Sequence, residues 1–301
     1  VITIGNFDGL HKGHNHLIDI TRTLSREKGL KSLLITFNPH PVEIFNNDSF
    51  EDYLITSLDK KINLLNYYNL DYLYIIDFNQ AFADMDPKYF IIDFLYKKFN
   101  PSDIIIGYDH FFGKNREGSF DLLNKYSNSL DYKVHRIEKV MFGDLDIKSN
   151  IIRNLIKNGQ ITEANSLLGR DFSFYGKVIH GEGLGKKLSF PTANIEINHK
   201  IQLLPKNGVY STEIFIKKNK KSYNSVCNIG VRPTFNDNVY VERRVEVHIL
   251  SDKKFDIYDC EVELIFKRRI RDEIKFKTKE ELINQINLDK EYCIQSIRIK
   301  G

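Results

Sequence analysis

No apolar run in this 301-residue chain approaches the ~18 residues that a membrane-spanning helix requires. The longest candidates, Tyr72 to Ile76 and Tyr89 to Tyr96, are short or interrupted by Asp93, so no membrane span is expected. Cysteine is also scarce. Cys227, Cys260 and Cys293 form an odd set with no Cys-x-x-Cys, which suggests neither a disulfide framework nor a zinc cage. Excess charge of one sign is small: 44 Lys and Arg against 40 Asp and Glu leave +4, short of the one-sided basic footprint of a nucleic-acid binder. No basic leader segment or cleavage site precedes the first strand-like residues, so a cytoplasmic location is the expectation.

What is present is ordinary for a globular protein, with 42% apolar and 28% charged residues. The length predicts about two domains, each able to bury a core without staples. The texture changes along the chain. From Val1 to about Leu168, strand-like runs alternate with helical periodicity. VITI leads to a helix with Leu17, Ile20 and Leu24 on one face, and KSLLITF follows, a βαβ pattern that favours a parallel sheet. DYLYIIDF reads as a buried strand and SDIIIGYD as another. Asp86 and Pro87 read as the N-cap and first residue of a helix with Phe90 and Phe94 on one face. Thr162 is expected to cap a short helix ending near Gly169.

Beyond Phe172 the strands FSFYGKVIH, GVYSTEIFI, SYNSVCNIG, VYVERRVEVHIL and CEVELIFKRRI follow one another without helices. A final helix is opened by Thr278 and Glu281 as a capping box. The predicted architecture is therefore an α/β, Rossmann-like parallel-sheet domain over 1–168 and a closed antiparallel β-barrel with a C-terminal helix over 169–301. Lys217, Lys218, Lys220 and Lys221 read as a solvated hairpin tip.

Two segments carry candidate chemistry. GNFDGLHKGH, residues 5–14, lies where the first strand meets the first helix, the position at which α/β sheets bind anions with free helix N–H groups. Gly9 and Gly13 allow close backbone approach, and His11 and His14 are spaced to project from one helical face. Two imidazoles there suit phosphate binding and stabilisation of charge during nucleotidyl transfer. The bland alternative is one capping and one solvated histidine. Neither a Walker A nor a dinucleotide G-x-G-x-x-G motif is present. The second segment, HGEGLGKKLSFPTANIEI, places Gly181, Gly183 and Gly185 in a loop able to form an anion nest, with Lys186 adding charge. Thr192 and Asn194 then supply hard oxygen ligands suited to Mg²⁺ held jointly with ATP phosphates. In RRVEVHIL, Val245 and Val247 share one strand face while Glu246 and His248 share the other. Alternation alone makes Glu246 an exposed strand carboxylate beside Arg244.

The H-x-G-H pattern resembles the nucleotidylyltransferase superfamily, and GNFDGLHKGH is similar to the adenylyltransferase half of the prokaryotic bifunctional riboflavin kinase and FAD synthetase family. The resemblance runs on through TFNPHPVEIF, ITSLDKK, GYDHFFGKNREGSFDLL, PTAN, NIGVRPTF, RRVEVHIL and RDEIKF, essentially the whole chain. It implies that riboflavin and ATP give FMN in the barrel, and that FMN and MgATP give FAD and diphosphate in the first domain. It implies catalytic roles for His11, His14 and Glu246, the last as base toward the riboflavin hydroxyl. ATP contacts would come from Gly5, Phe7, Asp8, Gly9, Gly13, Ser149 and Arg153, and in the barrel from Gly181, Gly183, Gly185 and Lys186. Asn38, His40 and Asp109 would line the flavin or substrate sites, and Thr192 and Asn194 would hold Mg²⁺. The partners implied are small molecules, with neither nucleic acid nor membrane.

Departures from the family pattern are Lys148 and Asn150 in IKSNIIR, Ser189 before PTAN, and Asp259 at the end of FDIYD. The first pair leaves open a kinase whose adenylyltransferase half is weakened. An H-x-G-H nucleotidylyltransferase of other specificity leaves PTAN unexplained, and a class I tRNA synthetase would need a KMSKS-like loop. A nucleic-acid-binding barrel lacks an aromatic and basic platform.

Overall fold

Strand β1 (Ile2–Ile4) is buried along its whole length because it is the middle strand of a five-stranded parallel sheet. The computed structural model describes residues 1–45, 52–180, 190–231, 243–251 and 256–298. It divides into one unit of Val1–Phe50 and Leu58–Ser149, and a second of Glu51–Ser57 and Asn150–Gly301.

In the first unit, β2 (Leu33–Asn38), β3 (Tyr72–Asp77), β4 (Asp103–Gly107) and β5 (Lys133–Ile137) join β1 in the order β3-β2-β1-β4-β5. Strand order runs outward from β1 in both directions, so a crevice opens between β1 and β4 at the carboxyl edge. Alternation divides the strand residues between two faces. Ile35, Ile104 and Ile106 pack with Phe90, Ile91 and Leu95 on one side, while Leu34 packs with Phe7, Leu10 and Ile18 on the other.

The helix Lys12–Glu27 buries Ile18, Thr21 and Ser25, a stripe one position round from the expected Leu17, Ile20 and Leu24, which are half-buried. Hydropathy misplaces the stripe because two of its members are hydroxyls satisfied in place: Thr21 Oγ1 donates to the Leu17 carbonyl and Ser25 Oγ to that of Arg22, both at 2.8 Å. The DYLYIIDF expectation also needs correction. β3 is one of the sheet's two edge strands, with Ile76 its one buried residue and Tyr72 exposed. The helix at Asp86 starts as predicted, its carboxylate accepting from the Lys88 and Tyr89 amides at 2.9 and 3.1 Å, with Phe90 and Phe94 stacked at 5.5 Å. Its segment Phe90–Tyr96 is π-helical. A two-stranded antiparallel pair, β6 (Met141–Phe142) and β7 (Leu145–Asp146), follows β5.

In the second unit, six strands close a barrel: β8 (Phe172–Ile179), β9 (Ala193–Ile197), β10 (Gly208–Ile216), β11 (Lys221–Val231), β12 (Arg243–Ile249) and β13 (Glu261–Arg271). The order is β10-β11-β12-β9-β8-β13, closed by β13 on β10 and antiparallel throughout. The strand unforeseen in the sequence is β9, which carries the last residues of PTAN. Phe172, Phe174, Tyr210, Val247 and Phe266 are among the residues that fill the core.

The helix Ile161–Leu168 packs against β8 and β13. Gln160, with no side-chain cap bond, occupies the N-cap position expected for Thr162. Gly169 ends the helix as expected, at φ 75°. The terminal helix Lys279–Arg298 has its capping box shifted by one residue: Thr278 Oγ1 accepts from the Glu281 amide at 3.2 Å, but the Glu281 carboxylate accepts from Lys277 N–H at 2.9 Å. Residues 217–220 form the exposed hairpin turn, with Lys217 paired to Glu261 at 2.8 Å.

Candidate active sites

The loop after β1 is held in a conformation that ordinary residues resist. Phe7 (φ 47°) and Leu10 (φ 40°) both lie in the left-handed region with Gly9 (φ 87°), at a cost of about 1–2 kcal/mol for each non-glycine residue. Their side chains are almost wholly buried with Ile18, Leu34 and Leu65, and burying a large apolar side chain returns about 1.5–3 kcal/mol, enough to offset the strain. The loop is therefore anchored by apolar contact rather than by glycine freedom alone.

His11 is the N-cap of the first helix. Its Nδ1 accepts from the His14 amide at 3.3 Å, which puts the proton of the neutral ring on Nε2, and its ring stacks on His14 with centroids 3.6 Å apart. The two histidines singled out by spacing are thus brought together. A Cβ on Gly13 would stand 3.1 Å from the His11 ring and 3.4 Å from the Ile147 carbonyl, so glycine there permits the stack. Lys12 Nζ lies 4.6 Å from the centre of the Phe142 ring.

Ser149 reaches this loop across 141 residues of sequence, its hydroxyl donating to the Asp8 carbonyl at 2.9 Å, and Asp8 itself is buried. Arg153 groups with the second unit, where Nε donates to the Tyr53 carbonyl at 2.9 Å and Nη1 to Asn150 Oδ1 at 2.5 Å, with the guanidinium over the Tyr53 ring. Lys148 is paired with Asp146 at 3.0 Å, beside Tyr108, whose hydroxyl donates to the same carboxylate at 2.7 Å. Bonds to Tyr108 and Asp146 push the Lys148 pKa up, so the ammonium stays charged.

Asn38 ends β2, with a cis bond to Pro39 and its carbonyl accepting from Phe78 N–H at 3.0 Å. His40 is buried, its Nδ1 accepting from the Val42 amide at 3.2 Å and its own amide donating to Glu43. Asp109 is exposed just past β4. Asn38, Asp109 and the histidine loop therefore leave the same carboxyl edge of the sheet.

One residue was missed. Lys61, on the helix Leu58–Leu65, is 4% exposed and donates from Nζ to the Asn6 carbonyl at 2.7 Å and to Thr36 Oγ1 at 3.3 Å. Burial drives its pKa down to about 8, with the charge of Asp8 acting the other way. A sequence signal existed: Lys61 stands four residues before buried Leu65, on the helix's inward face.

In the second unit, Glu246 on β12 lies opposite Asn194 of β9 and Asn228 of β11, so the three residues form one row across three strands. All three are half-buried, while their neighbours Ala193, Val247 and Cys227 point into the core. This is the alternation read from the sequence, with two amides added beside the carboxylate. Thr192 immediately precedes β9 and is half-buried. His248 Nδ1 lies 2.9 Å from the Pro191 carbonyl, which holds the start of PTAN against β12. Glu273 lies against Gly230, where an added Cβ would be 2.3 Å from its Oε1. Gly181, Gly183, Gly185, Lys186 and the departure Ser189 lie outside the described residues. The departure Asp259 adopts φ 60°, the left-handed conformation for which glycine is favoured, and pairs with Lys177 at 2.7 Å. Among the described residues, no group of three or more His, Cys, Asp or Glu is arranged to hold a metal ion.

These two units correspond to two protein families. Residues 1–151 match the family described as FAD synthetase, and residues 168–297 match riboflavin kinase, so the class is a nucleotidyl-transfer α/β unit joined to a flavokinase barrel. The chain is 35% identical to the bifunctional riboflavin kinase/FMN adenylyltransferase of Bacillus subtilis, over 98% of this chain and 92% of that one. It is 33% identical to the protein of the same description from Escherichia coli K12, over 96% and 90%. This chain belongs to the family of bifunctional riboflavin kinase/FMN adenylyltransferases. It is also similar to a crystal structure described as a macrolide-efflux protein from Streptococcus pneumoniae, with 29% identity, 96% and 92% coverage and a TM-score of 0.83. Among the described residues of this chain, no helix is long and apolar enough to cross a membrane.

Proposed function

We propose that the chain makes FMN from riboflavin and ATP in the barrel, over 169–301, and FAD from FMN and ATP in the parallel-sheet domain, over 1–168. The observation that carries this reading is that one chain matches both families, over 1–151 and 168–297, while each unit presents its own polar cluster at the matching motif. In the first unit, the FMN phosphate attacks the α-phosphorus of ATP and diphosphate leaves. His11, its Nδ1 already occupied, offers Nε2–H to phosphate oxygens, and His14 is stacked against it. Gly5, Phe7, Asp8, Gly9, Gly13 and Ser149 shape and anchor that loop, and Asn38, His40 and Asp109 line the flavin side.

In the barrel, Glu246 takes the proton of the riboflavin 5′-hydroxyl as its oxygen attacks the γ-phosphorus and ADP leaves. Asn194 and Asn228 flank the carboxylate. Thr192 and Asn194 fit Mg²⁺, since a hydroxyl and an amide oxygen are hard, neutral ligands that leave room for phosphate oxygens and water. The ion, when bound, neutralises charge on the transferring phosphate. Gly181, Gly183, Gly185 and Lys186 complete the ATP side by their sequence. The buried thiols of Cys227, Cys260 and Cys293 suit a reducing compartment, the cytoplasm.

The test is to incubate the protein with riboflavin, ATP and Mg²⁺ and separate the flavins by chromatography over time. FMN should appear first and FAD after it; absence of both refutes the reading. Glu246→Gln should abolish FMN formation while supplied FMN is still converted to FAD, and His14→Ala should do the reverse. A second reading, a kinase with weakened adenylyl transfer, is favoured by the engagement of Lys148 with Asp146 and of Asn150 with Arg153. It predicts FMN accumulation with little FAD.

A further inference from the structure

We infer that Lys61 is a positioning residue for adenylyl transfer, clamping the loop after β1 to the end of β2 and so fixing where His11 and His14 meet the nucleotide, an inference that rests on the adenylyltransferase reading of this unit. Three segments meet at one carbonyl. Asn6 O accepts from Lys61 Nζ at 2.7 Å and from Thr36 Oγ1 at 3.2 Å, and Lys61 Nζ also reaches Thr36 Oγ1 at 3.3 Å. Asn6 is the last residue before the strained run from Phe7 through Gly9 to Leu10, which ends at the N-cap His11. Fixing the Asn6 carbonyl fixes the plane of the 6–7 peptide, and every later torsion of the loop is measured from it.

A charged donor is an expensive choice for a wholly internal clamp. Burial depresses the Lys61 pKa, whereas an uncharged amide could make the same two bonds without that penalty. The buried Asp8 in the same loop is the partner whose charge favours the ammonium. Lys61 thus ties the loop to β2 through one hydrogen bond to each, with the charge of Asp8 favouring the ammonium.

The experiment compares wild type, Lys61→Met, Lys61→Arg and Thr36→Val in the full chain, measuring FAD formation from supplied FMN and ATP, and FMN affinity by flavin fluorescence. Displacing catalytic groups by about 1 Å costs on the order of 100-fold in rate. Lys61→Met is therefore expected to lower kcat about 100-fold, with the KM for ATP and the FMN affinity within threefold of wild type. Lys61→Arg, which keeps charge and donors, should recover at least tenfold of that loss. Thr36→Val, which removes one leg of the clamp and leaves Lys61 in place, should lower kcat about fivefold. A wild-type kcat in Lys61→Met overturns the inference, as does an equal loss in Lys61→Arg. If Lys61→Met does not fold, a wild-type kcat in Thr36→Val overturns it. If the wild-type chain forms no FAD, it is the adenylyltransferase reading that fails.

Discussion

Replacing Asp103 with Asn should destabilise the parallel-sheet unit selectively. The Asp103 side chain is fully buried at the start of β4, and its carboxylate accepts from Lys28 Nζ at 2.6 Å, Ser102 Oγ at 2.7 Å and His135 Nε2 at 2.8 Å. Asn would present an NH₂ to one or more of these donors. Breaking a buried ion pair on one side costs about 3–5 kcal/mol. Lys28 and His135 keep about a third of their side-chain surface in water, which relieves the stranded cations and selects the lower end, about 3 kcal/mol. Unfolding entropy of about 2.1 cal/mol/K per residue over a unit of about 140 residues converts this to a fall of about 10 °C in Tm.

There is a pH counterpart. Burial alone would raise the Asp103 carboxyl, but the donors, Lys28 foremost, outweigh it and hold its pKa at about 2. A depressed carboxyl contributes stability that is fully present above its unfolded value near 4 and is lost as pH falls through about 2. The assay is thermal inactivation of FAD formation and of FMN formation in parallel, with calorimetry from pH 7 to pH 2. Asp103→Asn should bring forward the loss of FAD formation while FMN formation survives as in wild type, and should flatten the acid limb. A Tm within 2 °C of wild type, or an unchanged acid limb, would mean that the Asp103 cluster does not hold this unit together.

Other consequences are as direct. Gly13→Ala would drive a methyl group against the His11 ring and the Ile147 carbonyl, so FAD formation should fall at least tenfold while FMN formation is unchanged; equal FAD rates would show that the stacked histidine pair is not needed. Arg271 grips Asp289 through Nε and Nη2 at 2.7–3.2 Å, tying β13 to the terminal helix, and Asp289 is 4% exposed. Arg271→Ala should cost about 3 kcal/mol, softened by the Gln285 amide that also donates to Asp289, and should lower the temperature at which FMN formation is lost. Glu246→Gln and His14→Ala should separate the two activities in opposite directions, and loss of both in either variant would contradict two independent sites.

Local chemistry is legible along the chain itself. The Asp86 and Pro87 helix start, the Gly169 stop, the hairpin lysines and the inward valines of β12 all depend on bonds or periodicities spanning a few residues, which a linear sequence displays directly. The two candidate motifs are legible too, because GNFDGLHKGH and PTAN are contiguous. What spans long separations was decided by tertiary structure. Whether DYLYIIDF is central or an edge depends on which strand lies beside it, and its residues are equally apolar in either place. The inward Thr21 and Ser25 look polar until their hydroxyls are seen to bond carbonyls one turn back. The serine at 149 meets Asp8, and the lysine at 61 meets Asn6 and Thr36, only after the chain has folded, since the free energy of burying an ammonium is set by neighbours brought from elsewhere. The two kinds of fold and the candidate side chains could be read along the chain; which of those side chains stand together, and what holds them there, came only with folding, because hydrogen bonding and burial act through space and not along the chain.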